Sequence, residues 1–157
     1  KPADLTPLTT LRLAELLFVE ALRCYIRQLP EEQRGWLAGL LDPYVGKALA
    51  RMHARPDQDW QVDSLASGVG LSRSALADRF SALIGEPPMQ YLARWRMALA
   101  AQYLARTNDA VARIGERVGY ESEAAFNRAF KREFGAPPAA WRRGARLARA
   151  TAASKRE

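Results

Sequence analysis

The 157-residue chain holds a single cysteine, Cys24, and a single histidine, His53. No disulfide can close within it, and no Cys/His set exists to hold a structural zinc. Neither residue has a nucleophile, base or acid partner nearby, no Ser/His/Asp grouping is in view and no glycine-rich phosphate loop occurs. An enzyme is therefore not expected, and neither is a metal or a cofactor. No apolar run approaches the roughly 18 residues of a membrane span, and no charged, apolar and small-residue leader of the secretory kind is present. The expectation is a cytosolic protein with no membrane partner. Strand-like alternation of Val, Ile and Thr is missing too, whereas Ala, Leu and Arg dominate, so the fold class reads as all-α.

What is abundant is positive charge, and it is unevenly placed. Residues 1–61 hold 8 basic and 8 acidic side chains, while residues 62–157 hold 16 basic and 9 acidic, so the whole excess of +7 lies in the second part. A basic part joined to a neutral one fits a polyanion partner, and it also fits a solvated basic surface. Pattern has to separate the two.

Thr6 and Pro7 supply an N-cap and a first-turn proline, and Leu11, Leu13, Leu16, Leu17, Phe18, Leu22, Tyr25, Ile26 and Leu29 then follow before Pro30 stops the helix. Such a helix is apolar around most of its circumference. It is a core helix, packs on a further domain, or meets a second copy of itself. A short helical piece around Trp36–Leu41 comes next, and Asp42 and Pro43 then cap and open a helix reaching about Arg55. The polar stretch Pro56–Gln61 coincides with the change of charge and reads as a boundary between domains.

An internal repeat carries more information. Val62, Leu65, Val69 and Gly70 recur 49 residues later as Val111, Ile114, Val118 and Gly119. Phe80, Gly85, Pro87, Pro88 and Tyr91 recur at an offset of 50 as Phe130, Gly135, Pro137, Pro138 and Trp141, so the second copy has one added residue between Gly119 and Phe130. Each copy reads as a short helix, a glycine turn and a longer helix, which is a helix-turn-helix. The motifs fall at about residues 62–84 and 111–134. Ala66 and Gly115 are small where the first helix meets the second, and Leu76 and Ala125 face inward from the second. Hairpins that serve only packing, in a helical adaptor that binds protein, are the alternative, and such an adaptor lacks salt-sensitive affinity for DNA.

Between the copies, Pro88 opens a helix that ends near Thr107–Asp109. About 18 residues make about 27 Å of helix, enough to hold two recognition helices near the roughly 34 Å repeat of the major groove. The piece from Pro138 repeats this helix start, and its Arg142, Arg143, Arg146 and Arg149 read as a solvated basic end.

The run IGERVGYESEAAFNRAFKREFGAPP, from Ile114 to Pro138, resembles the signature of the AraC/XylS transcriptional regulators, and the similarity extends over roughly residues 45–147. The resemblance implies a DNA-binding domain of about seven helices, two helix-turn-helix subdomains joined by a long helix, and control of transcription, more often activation, with RNA polymerase as a partner. Residues 44–150 then form the DNA-binding domain. Residues 1–43 look like the end of a sensory and dimerisation half, and residues 151–157 like a flexible tail. Pairing of two copies through residues 8–29 is expected, as is a small-molecule effector held by a sensory domain.

Family positions that reach bases match Ser74, Ala77 and Asp78 in the first copy and Ala124, Asn127 and Arg128 in the second. Arg128 suits guanine and Asn127 adenine through bidentate pairing, while Ala77 and Ala124 offer methyl contacts, for example to thymine. Asp78 is repelled by phosphates unless it accepts from cytosine or pairs with a neighbour such as Arg79. Many members carry a basic residue at its position. Arg73, Arg79, Lys131 and Arg132 are cast as phosphate contacts or as charges of the helix surface.

Overall fold

The computed structural model describes residues 16, 17, 19–21, 24, 25 and 39–154, with side chains described as far as residue 147. Among these residues all regular structure is helical. Seven helices run over residues 45–154: α1 (Val45–Ala54), α2 (Val62–Val69), α3 (Arg73–Ile84), α4 (Pro88–Arg106), α5 (Val111–Arg117), α6 (Glu123–Phe134) and α7 (Pro138–Ser154). Residues 39–41 and the described part of 16–25 are helical as well, and Leu16, Leu17, Val19 and Tyr25 lie exposed. The rest of the helix expected over residues 8–29, and residues 36–38 of the short piece, lie outside the described residues.

The caps act where the sequence puts them. Asp42 Oδ1 accepts from the amides of Tyr44 and Val45 at 3.0 and 2.9 Å and opens α1. Ser72 and Ser122 each accept from an amide three residues on, at 3.3 and 3.2 Å, and so start α3 and α6; such a cap contributes about 1 kcal/mol. Gly70 and Gly119 take φ of +80° and +82° at the turns, a conformation that a side chain disfavours.

Two hydrophobic cores form, one per helix-turn-helix. The first gathers Val45, Leu49 and Met52 of α1, Trp60, Leu65 of α2, Leu76 and Phe80 of α3, and Tyr91 and Leu92 of α4. The second gathers Met97, Ala100 and Leu104 of α4 with Ile114, Val118, Phe126 and Phe130, and Trp141 of α7 packs on it. The helix α4 therefore serves both, changing allegiance between Leu92 and Met97. Its 19 residues span about 28 Å.

Two expectations within and just before the motifs need correction and one is narrowed. Pro56–Gln61 separates no domains, because Trp60 is buried in the first core beside α1 residues and donates its indole N–H to the Arg55 carbonyl at 2.8 Å. The added residue of the second copy is narrowed to the stretch between Gly119 and Ser122, since the capping serines already stand 50 apart. Consequently Phe126, fully buried, is the counterpart of Leu76, whereas Ala125 is only half-buried. Gly115 is small for that reason: a Cβ there would stand 3.1 Å from the Phe126 ring.

The basic end is anchored rather than free. Arg142 Nη2 donates to the Asp109 carbonyl at 2.5 Å, and Arg146 reaches Asn108 Oδ1. These bonds tie α7 to the loop between α4 and α5, while Arg143 is exposed and the side chain of Arg149 lies outside the described ones. The backbone of α7 continues to Ser154, so the tail expected at 151–157 is helical over its first four residues and undescribed over 155–157.

Candidate nucleic-acid interface

The side of α3 turned away from buried Leu76 and Phe80 carries Ser74, Ala77 and Asp78, with Ser74 and Asp78 exposed and Ala77 half-buried. The same construction on α6 turns Ala124, Asn127 and Arg128 away from Phe126 and Phe130; Ala124 and Arg128 are exposed and Asn127 half-buried. Each predicted triad is thus brought together on one helix face, as the helical period requires.

The two faces differ in charge availability. On α6, no hydrogen bond or ion pair among the described residues occupies the side chain of Arg128, Asn127 or Lys131. These three line a groove of about 340 Å³ beside the helix, walled by Val111 and Pro137, with Glu123 at its edge. Arg132 is exposed on the flank turned toward the first half, where with Glu86, Arg94 and Glu133 it borders a cleft of about 320 Å³.

On α3 the cations are already engaged. Arg73 Nη1 meets Asp63 Oδ2 at 3.2 Å, both side chains being well exposed, so the pair is worth little and opens readily. Arg79 is held more firmly: Nε and Nη2 both donate to Asp42 Oδ2, at 2.8 and 2.6 Å, and the guanidinium lies 5.3 Å from the Tyr44 ring centre. The Asp42 side chain is only 8% exposed. Burial pushes its carboxyl up, but the Arg79 hydrogen bonds and the two amides outweigh this and hold it below the ordinary carboxylate value. Asp78 keeps no such partner, because Arg79 turns to Asp42 instead. Sequence reading missed this pair, whose members stand 37 residues apart with no shared motif.

A model of a helix-turn-helix domain matches residues 65–144, about half of the chain. A putative AraC-like transcription regulator of Streptomyces lividans is 45% identical over 131 residues, which are 83% of this chain and 43% of that protein. The regulator AlkR of Acinetobacter baylyi is 40% identical over 130 residues, 83% of this chain and 42% of its own length. Among solved structures, the DNA-binding domain of the global transcriptional factor AdpA in complex with a target DNA matches with a TM-score of 0.64 at 30% identity, over 69% of this chain and 96% of that domain.

The chain belongs to the AraC/XylS family. Its all-helical, doubled arrangement is that of the AraC-type DNA-binding domain. The chain spans less than half the length of the relatives it matches. Within the AraC-type unit, α3 and α6 stand as the second helices of the two motifs, the helices that enter DNA in helix-turn-helix proteins.

Proposed function

We propose that the protein is a transcription regulator that reads two adjacent major-groove segments of promoter DNA with α3 and α6, acting by binding and not by catalysis. The observation that carries this reading is the pair of serine-capped helices 50 residues apart, the second presenting Arg128, Asn127 and Lys131 with no partner among the described residues. The likeness to a domain solved on its target DNA supports it. In this reading Ser74, Ala77, Asp78, Ala124, Asn127 and Arg128 face bases, and Arg73, Arg79, Lys131 and Arg132 face phosphates. The second motif is the stronger anchor, because its cations need not leave a carboxylate first.

The regulator activates transcription through RNA polymerase in the bacterial cytosol, pairs with a second copy through residues 8–29, and answers to an effector bound by a sensory domain. The exposed Leu16, Leu17, Val19 and Tyr25 favour the pairing, and the greater length of the relatives favours a sensory domain. Selection of bound sequences from a random duplex library, followed by titration of the winner at two salt concentrations, tests the DNA reading. Two enriched blocks about one helical turn apart are expected. Affinity with no enrichment, collapsing as salt rises, would reduce the protein to a phosphate binder, and no salt-sensitive affinity at all would favour the protein adaptor.

A further inference from the structure

The two hydrophobic cores share no buried residue. What holds one helix-turn-helix at a set angle to the other must therefore lie in α4 and in the contacts along its seam. Arg96 stands on α4 inside the interval, Leu92 to Met97, where the helix passes from one core to the other, and it belongs to neither.

Its guanidinium is clasped from both halves. Nε donates to the Pro56 carbonyl and Nη2 to the Gln58 carbonyl, each at 2.8 Å, so two hydrogen bonds join α4 to the loop that Trp60 pins into the first core. The turn of the second motif closes over the other side. A Cβ built at Gly119 would lie 2.8 Å from Arg96 Nη2 and 2.9 Å from the Pro56 oxygen, so the backbone there packs directly on the guanidinium and on the first-half loop. Asp57 and Asp59 of the first half face Glu116 and Glu121 of the second across a cleft of about 230 Å³ on the same seam. The half-buried Arg96 cation lies on this seam, where Asp59, Asp57 and the Tyr120 phenol favour its charge against the cost of burial.

We propose that Arg96 is a positioning residue that sets the angle and spacing between the two recognition helices, and thereby which separation of the two DNA blocks the protein accepts. The DNA part rests on the two-groove reading above. A bidentate donor is required, because one planar group satisfies two carbonyls while filling the space over Gly119.

The full chain carrying Cys24→Ser, with spin labels at exposed positions on α3 (Ala82→Cys) and α5 (Arg113→Cys), reports the separation of the halves without DNA. A single narrow distance distribution is expected with Arg96 in place, and a broadened or shifted one in Arg96→Ala and Arg96→Gln, with Arg96→Lys between. An unchanged distribution in a folded Arg96→Ala protein overturns the proposal. So does loss of folding in all three variants, since Arg96 would then support the cores themselves. On DNA, the selected site and derivatives with one base pair inserted or deleted between the blocks give the second readout. Linkage of two binding modules makes each spacing change cost the native protein at least about tenfold in affinity, and that penalty should shrink several-fold in Arg96→Ala while binding to an isolated block stays the same. An unaltered spacing penalty overturns the proposal. Failure of the native protein to select a two-block site counts against the two-groove reading, and the label distances still decide the role of Arg96.

Discussion

Asp42 holds Arg79 across 37 residues by two hydrogen bonds to one carboxylate oxygen, and so ties the segment entering α1 to the first recognition helix. Its other oxygen caps α1. Asp42→Ala is expected to cost about 1 kcal/mol through the cap alone, and more through removal of the ion pair. Asp42→Asn keeps the cap and loses the charge. Because the folded-state carboxyl is held below its ordinary value of 3.8, the stabilisation is complete above that value and is lost as pH falls through the lower folded value. Urea melts should therefore show the gap between native protein and Asp42→Asn at pH 7 closing below about pH 4; a gap that persists at pH 2 would exclude the ion pair as its source.

His53 gives a pH dependence of the same sign in a higher pH window. Its Nε2 is 2.8 Å from the Tyr91 hydroxyl, its ring lies 4.3 Å from that of Trp95, and burial lowers its affinity for a proton below the ordinary value of 6.5. The unfolded chain then takes up the proton first, so stability is full above 6.5 and declines as pH drops below it. His53→Gln should remove that decline. Equal denaturation midpoints of the native protein at pH 7.5 and pH 5.5 would contradict this.

Lys131 and Arg79 should behave differently on DNA although both are basic residues on recognition helices. Lys131→Ala is expected to lower the slope of log affinity against log salt by about 1, as removal of one cation from a DNA phosphate does. Arg79→Ala should change the slope less, because Asp42 already occupies the guanidinium. Titrations of both variants at four salt concentrations make the comparison.

Arg128→Ala should cost about 1–3 kcal/mol on the selected site and relax preference at one base pair. Its guanidinium is exposed and lines the groove with Asn127. The same loss on random DNA would move Arg128 from base reader to phosphate contact.

Gly70 and Gly119 occupy matching turns with nearly equal φ, yet substitution should not cost the same. Alanine at either position carries the left-handed penalty of about 1–2 kcal/mol. At Gly70 the new methyl meets nothing within 4 Å, whereas at Gly119 it meets Arg96 and the Pro56 carbonyl. Gly119→Ala should therefore be the more destabilising in thermal melts, and equal costs would show that the seam yields freely.

Most of the local architecture was legible in the residue order, because its causes are local. The Asp42 cap, turn glycines, the prolines opening α4 and α7 and the apolar period all act within a few residues, and α3 and α6 end at Ile84 and Phe134, where the two motifs were expected to end. The helical period then keeps the triads that the resemblance implies on the side of each helix away from buried Phe80 or Phe130. The misreadings share one cause. Pro56–Gln61 looks like a linker because it is polar, but burial of Trp60 draws it into the first core. Arg142 and Arg146 look like a solvated end because nothing near them in sequence is acidic, but the fold carries the Asn108 and Asp109 loop to them.

What the sequence by itself determined, then, is the helical class and the duplication, set by propensity, capping and period, while the candidate base-facing triads are what the family resemblance implies. Tertiary structure alone decided which charges are available and how the halves meet. Asp42 with Arg79, Arg96 with Pro56 and Gln58, and Arg142 with Asp109 join groups 33 to 40 residues apart. A long flexible side chain can reach many partners, so its choice is made only when packing of the two cores brings one of them within hydrogen-bonding distance.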